Sequence, residues 1–134
     1  DIHIHVMRGA QPKSGPSAGL AFCTAIVSCL TGRPTRHDYA MTGEIDLFGN
    51  AFAIGGLDQK LEGARMHGIK RVFVPEENRK SIEALKEIPV GVQITFVRSI
   101  DDILSEILLP SVKDTSALFI KSQLPTPMHD GLNT

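Results

Sequence analysis

The chain of 134 residues is poor in cysteine and in aromatic side chains, with two cysteines, one tyrosine and no tryptophan. Cys23 and Cys29 lie on different faces of a predicted helix, too far apart to bridge each other, which excludes a disulfide between them. A nucleophilic cysteine needs an exposed setting beside a histidine, and the sequence indicates that setting for neither thiol. We therefore expect both cysteines to be buried and reduced.

An excess of one charge and a long apolar run are also missing. The formal net charge is -1, so the charge balance attracts neither nucleic acid nor anionic lipid. The longest apolar stretch, Leu20 to Leu30, is interrupted by Thr24 and Ser28 and has about half the length of a membrane span. The sequence therefore predicts one soluble globular domain, with no nucleic-acid partner and no membrane association.

The first residues, "DIHIHVMRG", lack a leader in which a charged segment precedes an apolar one. Ile2, Ile4 and Val6 alternate with other residues, which is the period of a strand. We expect the chain to begin inside a strand, as a piece of a longer polypeptide.

Helical and strand periodicities alternate along the rest of the chain. Predicted helices cover residues 17–32, 57–67, 76–88 and 100–109; apolar residues surround most of the first, and Ser99 is the N-cap of the last. Predicted strands are "KRVFVP", "VQITFV" and the two halves of "YAMTGEIDLFGNAFAIGG", a hairpin. The pattern predicts an α+β or mixed α/β domain over residues 1–109. Residues 110–134 are predicted to be a mostly flexible tail.

Ser17 stands between a glycine and proline turn and the first predicted helix, and two interpretations are open. A serine in this position is an ordinary N-cap. As a nucleophile it would have unpaired backbone N–H groups nearby to stabilise an oxyanion, and its small neighbours Ala18 and Gly19 would admit a substrate backbone. The second interpretation requires a base within reach of the hydroxyl.

Three residues are considered for that base. His5 lies in the preceding predicted strand but would need an orienting carboxylate, which no local motif supplies. His3 shares its strand face, yet no further histidine or cysteine completes a metal site, so no metal is expected. Lys60 follows a glycine turn and lies beside an apolar helical stripe of Leu57, Leu61 and Ala64. A lysine on a helix is usually a solvated charge, but one held against a core loses its charge more easily and can accept a proton.

Three motifs carry a resemblance to a known family. "GPSAGLAFCTAIVSCLTGRP", "AMTGEIDLFG" and "IGGLDQKLEGARMHGIKRVFVPEEN" resemble the proteolytic domain of the Lon family of ATP-dependent serine proteases, in the same order and spacing. The similarity covers about residues 1–109. It implies the Lon protease-domain fold, similar to the ribosomal protein S5 domain 2-like architecture and truncated at its N-terminal side.

The resemblance also implies roles for individual residues. Ser17 corresponds to the nucleophile and Lys60 to the general base, a dyad that needs no metal. Thr42 corresponds to a threonine that helps to hold the lysine, and His5 to a histidine near the site but outside the dyad. The implied supporting residues, which shape the turns, allow close approach or supply oxyanion-binding N–H groups, are Gly15, Pro16, Ala18, Gly43, Gly55 and Gly56.

By the same resemblance, the substrates are unfolded or damaged polypeptides and the intact protein is a hexamer. The domain itself needs no cofactor; ATP and Mg²⁺ would act in an ATPase module, and this chain contains no "GxxxxGK[ST]" phosphate loop. The implied location is intracellular, in the bacterial cytoplasm, the mitochondrial matrix or the peroxisome.

Some positions depart from the family pattern. Ser14 stands where the family commonly has an acid, and the other departures are Met7, Arg8, Gln11, Ala53 and Asp58. One alternative is therefore a Lon-like assembly domain without activity, although the retained Ser17, Thr42 and Lys60 argue against it. A second is a kinase-like phosphate-binding module, since "GPSAG" opens a helix.

Overall fold

The computed structural model describes residues 1–5 and 15–111. Within these ranges the helices and strands follow one another as α1 Gly19–Thr31, β1 Tyr39–Met41, β2 Glu44–Ile45, β3 Ala51–Phe52, α2 Leu57–Met66, β4 Arg71–Pro75, a 3-10 turn Glu76–Asn78, α3 Arg79–Glu83, β5 Gln93–Val97 and α4 Ile100–Ile107. The predicted α+β, mixed α/β class is confirmed. The tail predicted for residues 110–134 lies outside the described residues beyond Ser111 and stays a prediction.

The central element is β4, which pairs in parallel with β1 on one side and with β5 on the other. Its Phe73 belongs to one core cluster, together with Leu20 of α1 and Ile103 of α4. Its Val72 and Val74 belong to a second cluster, with residues of α2 and α3. A parallel strand that is buried on both faces reads as a continuous apolar run, which explains "RVFVP". The sheet is therefore covered by α1 and α4 on one face and by α2 and α3 on the other.

The predicted hairpin is present, but its first strand is shorter than predicted. β2 and β3 pair antiparallel, with Glu44 opposite Phe52. The Asp46 carboxylate closes the turn by accepting the Phe48 and Asn50 N–H groups and the Asn50 amide, each at 2.9 Å. These hydrogen bonds, that of the Asn50 side chain above all, lower the pKa of Asp46. Residues 39–41 pair instead with β4, as strand β1 of the parallel sheet. At Thr42 and Gly43 the chain turns away from β4 and approaches α1, so the hairpin strand begins only at Glu44.

Three other predictions about the elements need correction. Residues 1–5 form no strand and are exposed. The helix predicted for residues 76–88 is only a 3-10 turn followed by α3, which ends at Glu83 and buries Ile82 alone. α4 begins after Ser99 as predicted, with the Asp102 carboxylate accepting the Ser99 N–H at 3.1 Å, but it ends at Ile107.

The first helix is one-sided rather than central. α1 buries Leu20 and Thr24 against the sheet, whereas Phe22 and Leu30 on its outer side are 41% and 71% exposed. Cys29 is also exposed, so the prediction of two buried thiols is wrong for it, and Cys23 is half-buried against the core. Among the described residues no helix is long and apolar enough to cross a membrane.

Candidate active site

The turn that carries Ser17 is fixed just before α1. Gly15 has φ of 112°, a conformation that favours glycine, and the Pro16 carbonyl accepts the Gly19 N–H at 3.1 Å. The N-cap of α1 is Ala18, and no side chain caps the helix. The interpretation of Ser17 as the N-cap is therefore wrong. The Ser17 side chain is half-buried in front of the helix and caps none of its backbone N–H groups.

The backbone of Ser17 is held by the chain segment that leaves β1. The Ser17 carbonyl accepts the Gly43 N–H at 3.0 Å and the Thr42 hydroxyl at 3.5 Å. The Gly43 carbonyl in turn accepts the Leu20 N–H at 3.3 Å. Residues 42 and 43 thus lie alongside the serine turn, bonded to it on both sides of Ala18 and Gly19.

Thr42 connects this turn to the sheet. Its N–H donates to the Phe73 carbonyl of β4 at 3.1 Å, which extends the β1–β4 pairing by one residue. Thr42 is 7% exposed, so its hydroxyl works in a largely water-free setting. The predicted supporting residue is therefore in contact with the predicted nucleophile, through the main chain of Ser17.

Lys60 lies in the first turns of α2. Gly56 has φ of 67° at the N-cap, and its carbonyl accepts the Lys60 N–H at 3.1 Å. The predicted apolar stripe is confirmed, because Leu57, Leu61 and Ala64 are all buried. Lys60 itself is half-buried beside this stripe. Within residues 1–5 and 15–111 its side chain makes no hydrogen bond or ion pair, with Ser17 or with any other residue.

The glycines before α2 do not serve the close approach predicted for them. A Cβ atom at Gly55 or Gly56 would meet nothing within 4 Å. Gly56 is required for its left-handed backbone instead. Close approach is found at Gly43, where a Cβ atom would lie 2.9 Å from Pro75 Cγ and closer still to Leu20.

Sequence reasoning missed Asn78, which holds the loop leading to Lys60. Asn78 is 2% exposed; its Oδ1 accepts the Ile54 N–H at 3.0 Å and its Nδ2 donates to the Ile54 carbonyl at 2.9 Å. The Glu77 carboxylate accepts the neighbouring Ala53 N–H at 3.0 Å. An amide side chain can bind both groups of one residue because it carries a donor and an acceptor on neighbouring atoms. The available signal was an asparagine directly after a buried strand and two glutamates.

The structure places His5 beside the outer side of α1. His5 is exposed and lines a cavity of about 450 Å³ between residues 1–5 and the outer side of α1. Neither Ser17 nor Lys60 lines this cavity. In the described part of the chain no three histidine, cysteine, aspartate or glutamate side chains lie close enough together to hold a metal. Ser14 and the departures Met7, Arg8 and Gln11 lie outside the described residues.

Comparison with known proteins identifies the family of the chain. A family model of the Lon protease (S16) C-terminal proteolytic domain matches residues 1–110. The chain is 54% identical over 105 residues to the Lon protease of Haemophilus influenzae, 51% over 106 residues to that of Escherichia coli (strain K12) and 48% over 110 residues to that of Finegoldia magna. These matches cover 78%, 78% and 81% of the chain.

All of these matches are to proteolytic domains or proteases. The chain belongs to the family of Lon protease C-terminal proteolytic domains. It spans only 13% to 14% of the length of the three relatives.

Proposed function

We propose that this chain carries the peptide-hydrolysing centre of an ATP-dependent Lon-type serine protease, with Ser17 as nucleophile and Lys60 as general base. The observation that carries the proposal is the serine turn itself. Ser17 does not cap α1, yet its carbonyl is fixed by two donors from residues 42 and 43. A serine held in place by its main chain, with its hydroxyl left over, has the arrangement that a nucleophile needs.

In this mechanism the neutral Lys60 amine takes the proton from Ser17 Oγ while Oγ attacks the peptide carbonyl carbon. The tetrahedral oxyanion then collapses, the C–N bond breaks, and the lysine ammonium gives its proton to the leaving amine. Water, deprotonated by Lys60, hydrolyses the resulting ester and regenerates Ser17. Lys60 is half-buried beside the buried Leu57, Leu61 and Ala64, which fix the first turns of α2 against the core and so support this role.

The oxyanion would be bound by main-chain N–H groups of the serine turn. The Gly19 and Leu20 N–H groups already donate to Pro16 and Gly43. The N–H groups of Ser17 and Ala18 are therefore our candidates for the oxyanion hole. Gly15 and Pro16 would shape this turn.

Thr42 would link the two members of the dyad. Its hydroxyl proton is directed to the Ser17 carbonyl, which leaves the hydroxyl oxygen free to accept a hydrogen bond from the Lys60 amine. We assign Thr42 as the residue that helps to hold Lys60, and His5 as a residue outside the dyad.

The proposal extends to the intact protein. Its substrates would be unfolded or damaged polypeptides, it would assemble as a hexamer, and ATP and Mg²⁺ would act in a module outside this chain. No step of peptide hydrolysis passes through that cofactor. The intact protein would be intracellular, in the bacterial cytoplasm, the mitochondrial matrix or the peroxisome.

The test removes each member of the dyad. Ser17→Ala and Lys60→Ala should each reduce cleavage of unfolded casein and of a fluorogenic peptide by the intact protein to about a thousandth or less of the wild-type rate. ATP hydrolysis should stay close to wild type. A fluorophosphonate should label the wild type but not Ser17→Ala.

The matched controls are Ser81→Ala and Lys80→Ala, since both residues are exposed on α3. Both control variants should cleave casein normally. Normal cleavage by Ser17→Ala or by Lys60→Ala would refute the assignment of that residue.

A further inference from the structure

The main chain of Gly43 is bonded to the serine turn at both of its polar groups. Its N–H donates to the Ser17 carbonyl at 3.0 Å, and its carbonyl accepts the Leu20 N–H at 3.3 Å. The two bonds span the turn and the start of α1. Any shift of Gly43 therefore moves the Ser17 carbonyl and the first residues of the helix together.

The space around Gly43 is closed by two buried side chains. A Cβ atom at this position would lie 2.9 Å from Pro75 Cγ, 3.3 Å from Leu20 Cγ, and closer than either to Leu20 Cδ1. Leu20 is 0% exposed and Pro75, at the end of β4, is also fully buried. Close-packed side chains of this kind have no free volume into which to retreat. The backbone of residue 43 can approach α1 this closely only because it carries no side chain.

Gly43 is also tied to the central strand. The preceding residue, Thr42, donates its N–H to the Phe73 carbonyl at 3.1 Å. Hydrogen bonds of Thr42 and Gly43 therefore connect β4 to Ser17. This connection sets how far the serine turn stands from β4.

We propose that Gly43 is a positioning residue for Ser17, which holds the nucleophile at its working distance through the two main-chain hydrogen bonds. The inference rests on the proposed function, because it assumes that Ser17 is the nucleophile. A Cβ atom at residue 43 must push the serine turn and α1 away from β4. A displacement of about 1 Å is enough to reduce the rate of an oriented reaction by about a hundredfold.

The experiment uses Gly43→Ala in the intact protein with a fluorogenic peptide. We expect kcat to fall by about tenfold to a hundredfold with KM within about twofold of wild type, since the substrate surface is retained and the nucleophile is displaced. Labelling of Ser17 by a fluorophosphonate should slow by a similar factor. Gly63→Ala is the matched control, because a Cβ atom at Gly63 on α2 meets nothing within 4 Å, and it should leave kcat unchanged.

A second substitution tests whether the contact itself is responsible. Leu20→Val removes the Cδ atoms that a Cβ atom at residue 43 would meet first, whereas the Pro75 contact remains. The double variant Gly43→Ala/Leu20→Val should have a kcat above that of Gly43→Ala and below that of Leu20→Val. If Gly43→Ala does not fold, the double variant is compared with Leu20→Val alone, and a kcat at least about threefold lower is expected.

The outcomes separate the two proposals. If Ser17→Ala remains active, the proposed function itself fails. If Ser17→Ala is inactive while Gly43→Ala keeps kcat within about twofold of wild type, the positioning role alone is overturned. It is also overturned if the double variant shows no recovery over a folded Gly43→Ala, or equals Leu20→Val when Gly43→Ala is unfolded.

Discussion

Thr42 is the residue that joins the sheet to the candidate nucleophile by a side chain. Its N–H is bonded to Phe73 and its buried hydroxyl to the Ser17 carbonyl. α1 contains a comparable residue, Thr24, which is also buried and whose hydroxyl donates to the Leu20 carbonyl at 2.8 Å. Both threonines are buried and donate their hydroxyl to a main-chain carbonyl, but only Thr42 is bonded to the candidate nucleophile.

This difference allows a matched prediction. Thr42→Val should lower kcat for a peptide by about tenfold or more, equivalent to ~1.4 kcal/mol of transition-state stabilisation, whereas Thr42→Ser should retain most of the activity. Thr24→Val should lower the free energy of unfolding by about 1 kcal/mol and leave kcat unchanged. Peptide hydrolysis and urea denaturation of the three variants provide the measurements. Equal kcat values for the two valine variants would contradict the role of Thr42.

For single residues, the sequence predicts the surroundings correctly where the contacting residues are close in the chain. The stripe beside Lys60 follows from helical spacing and is buried as expected. The sequence around Ser17 suits a cap, but the N-cap is Ala18, and the Ser17 carbonyl is bonded to residues 42 and 43, far along the chain. The partner of Asn78 could not be predicted, since nothing near Asn78 in the sequence identifies Ile54.

Among the elements, α2 owes its starting point to the 3-10 turn that follows β4. The chain enters α2 through Ile54 and two glycines, and Asn78 holds Ile54 by both its N–H and its carbonyl. Glycines alone would leave the backbone conformation before α2 variable, because glycine populates many conformations. The orientation of the first turn of α2, which carries Lys60, is therefore stabilised by a buried side chain from another element.

Removal of this side chain should destabilise the domain. Asn78→Ala leaves two polar groups of Ile54 without their partner, and we expect a loss of about 1 to 3 kcal/mol in the free energy of unfolding, measured by urea denaturation. Asn50→Ala is the control, because Asn50 is exposed at the hairpin turn, and it should cost less. A loss for Asn78→Ala no larger than that for Asn50→Ala would show that Ile54 finds other partners.

The elements best predicted from the sequence are those with clear local signals. The hairpin turn, the start of α4 after Ser99 and the end of α2 before Gly68 follow from turn and cap residues. α3 is shorter than its helix-forming composition predicts because only one of its residues, Ile82, is buried. The split of the first hairpin strand at Thr42 and Gly43 depends on pairing with β4, which a local pattern does not contain.

For the molecule as a whole, the helices on the two faces of the sheet differ in how many of their apolar residues are exposed. α2 presents its apolar stripe to the core, whereas α1 exposes apolar residues on its outer side, among them Phe22, Cys29 and Leu30. The one-sided packing of α1 could not be predicted from its composition, since apolar residues surround most of the helix. Strand order was also beyond local patterns, because each parallel pair joins segments separated by a helix.

The exposure of α1 can be measured by its two thiols. In the native chain, dithionitrobenzoate should react with Cys29 at least about tenfold faster than with Cys23, since reactivity follows solvent access and Cys23 packs against the core. In Cys29→Ser only the slow phase should remain, and in Cys23→Ser only the fast one. Equal rates for the two single-cysteine variants would contradict the packing of α1 described above.

The position of β4 in the chain has a consequence for biosynthesis. The Phe73 carbonyl holds Thr42 beside the serine turn, and Asn78, just beyond the strand, holds the entry to α2. A ribosome delivers Ser17 and Lys60 before it delivers either of these anchors, because synthesis proceeds from the N-terminus. A nascent chain that ends before residue 78 therefore contains both members of the candidate dyad without the structure that positions them. The order of synthesis delays assembly of the site until the strand and its following turn have left the ribosome.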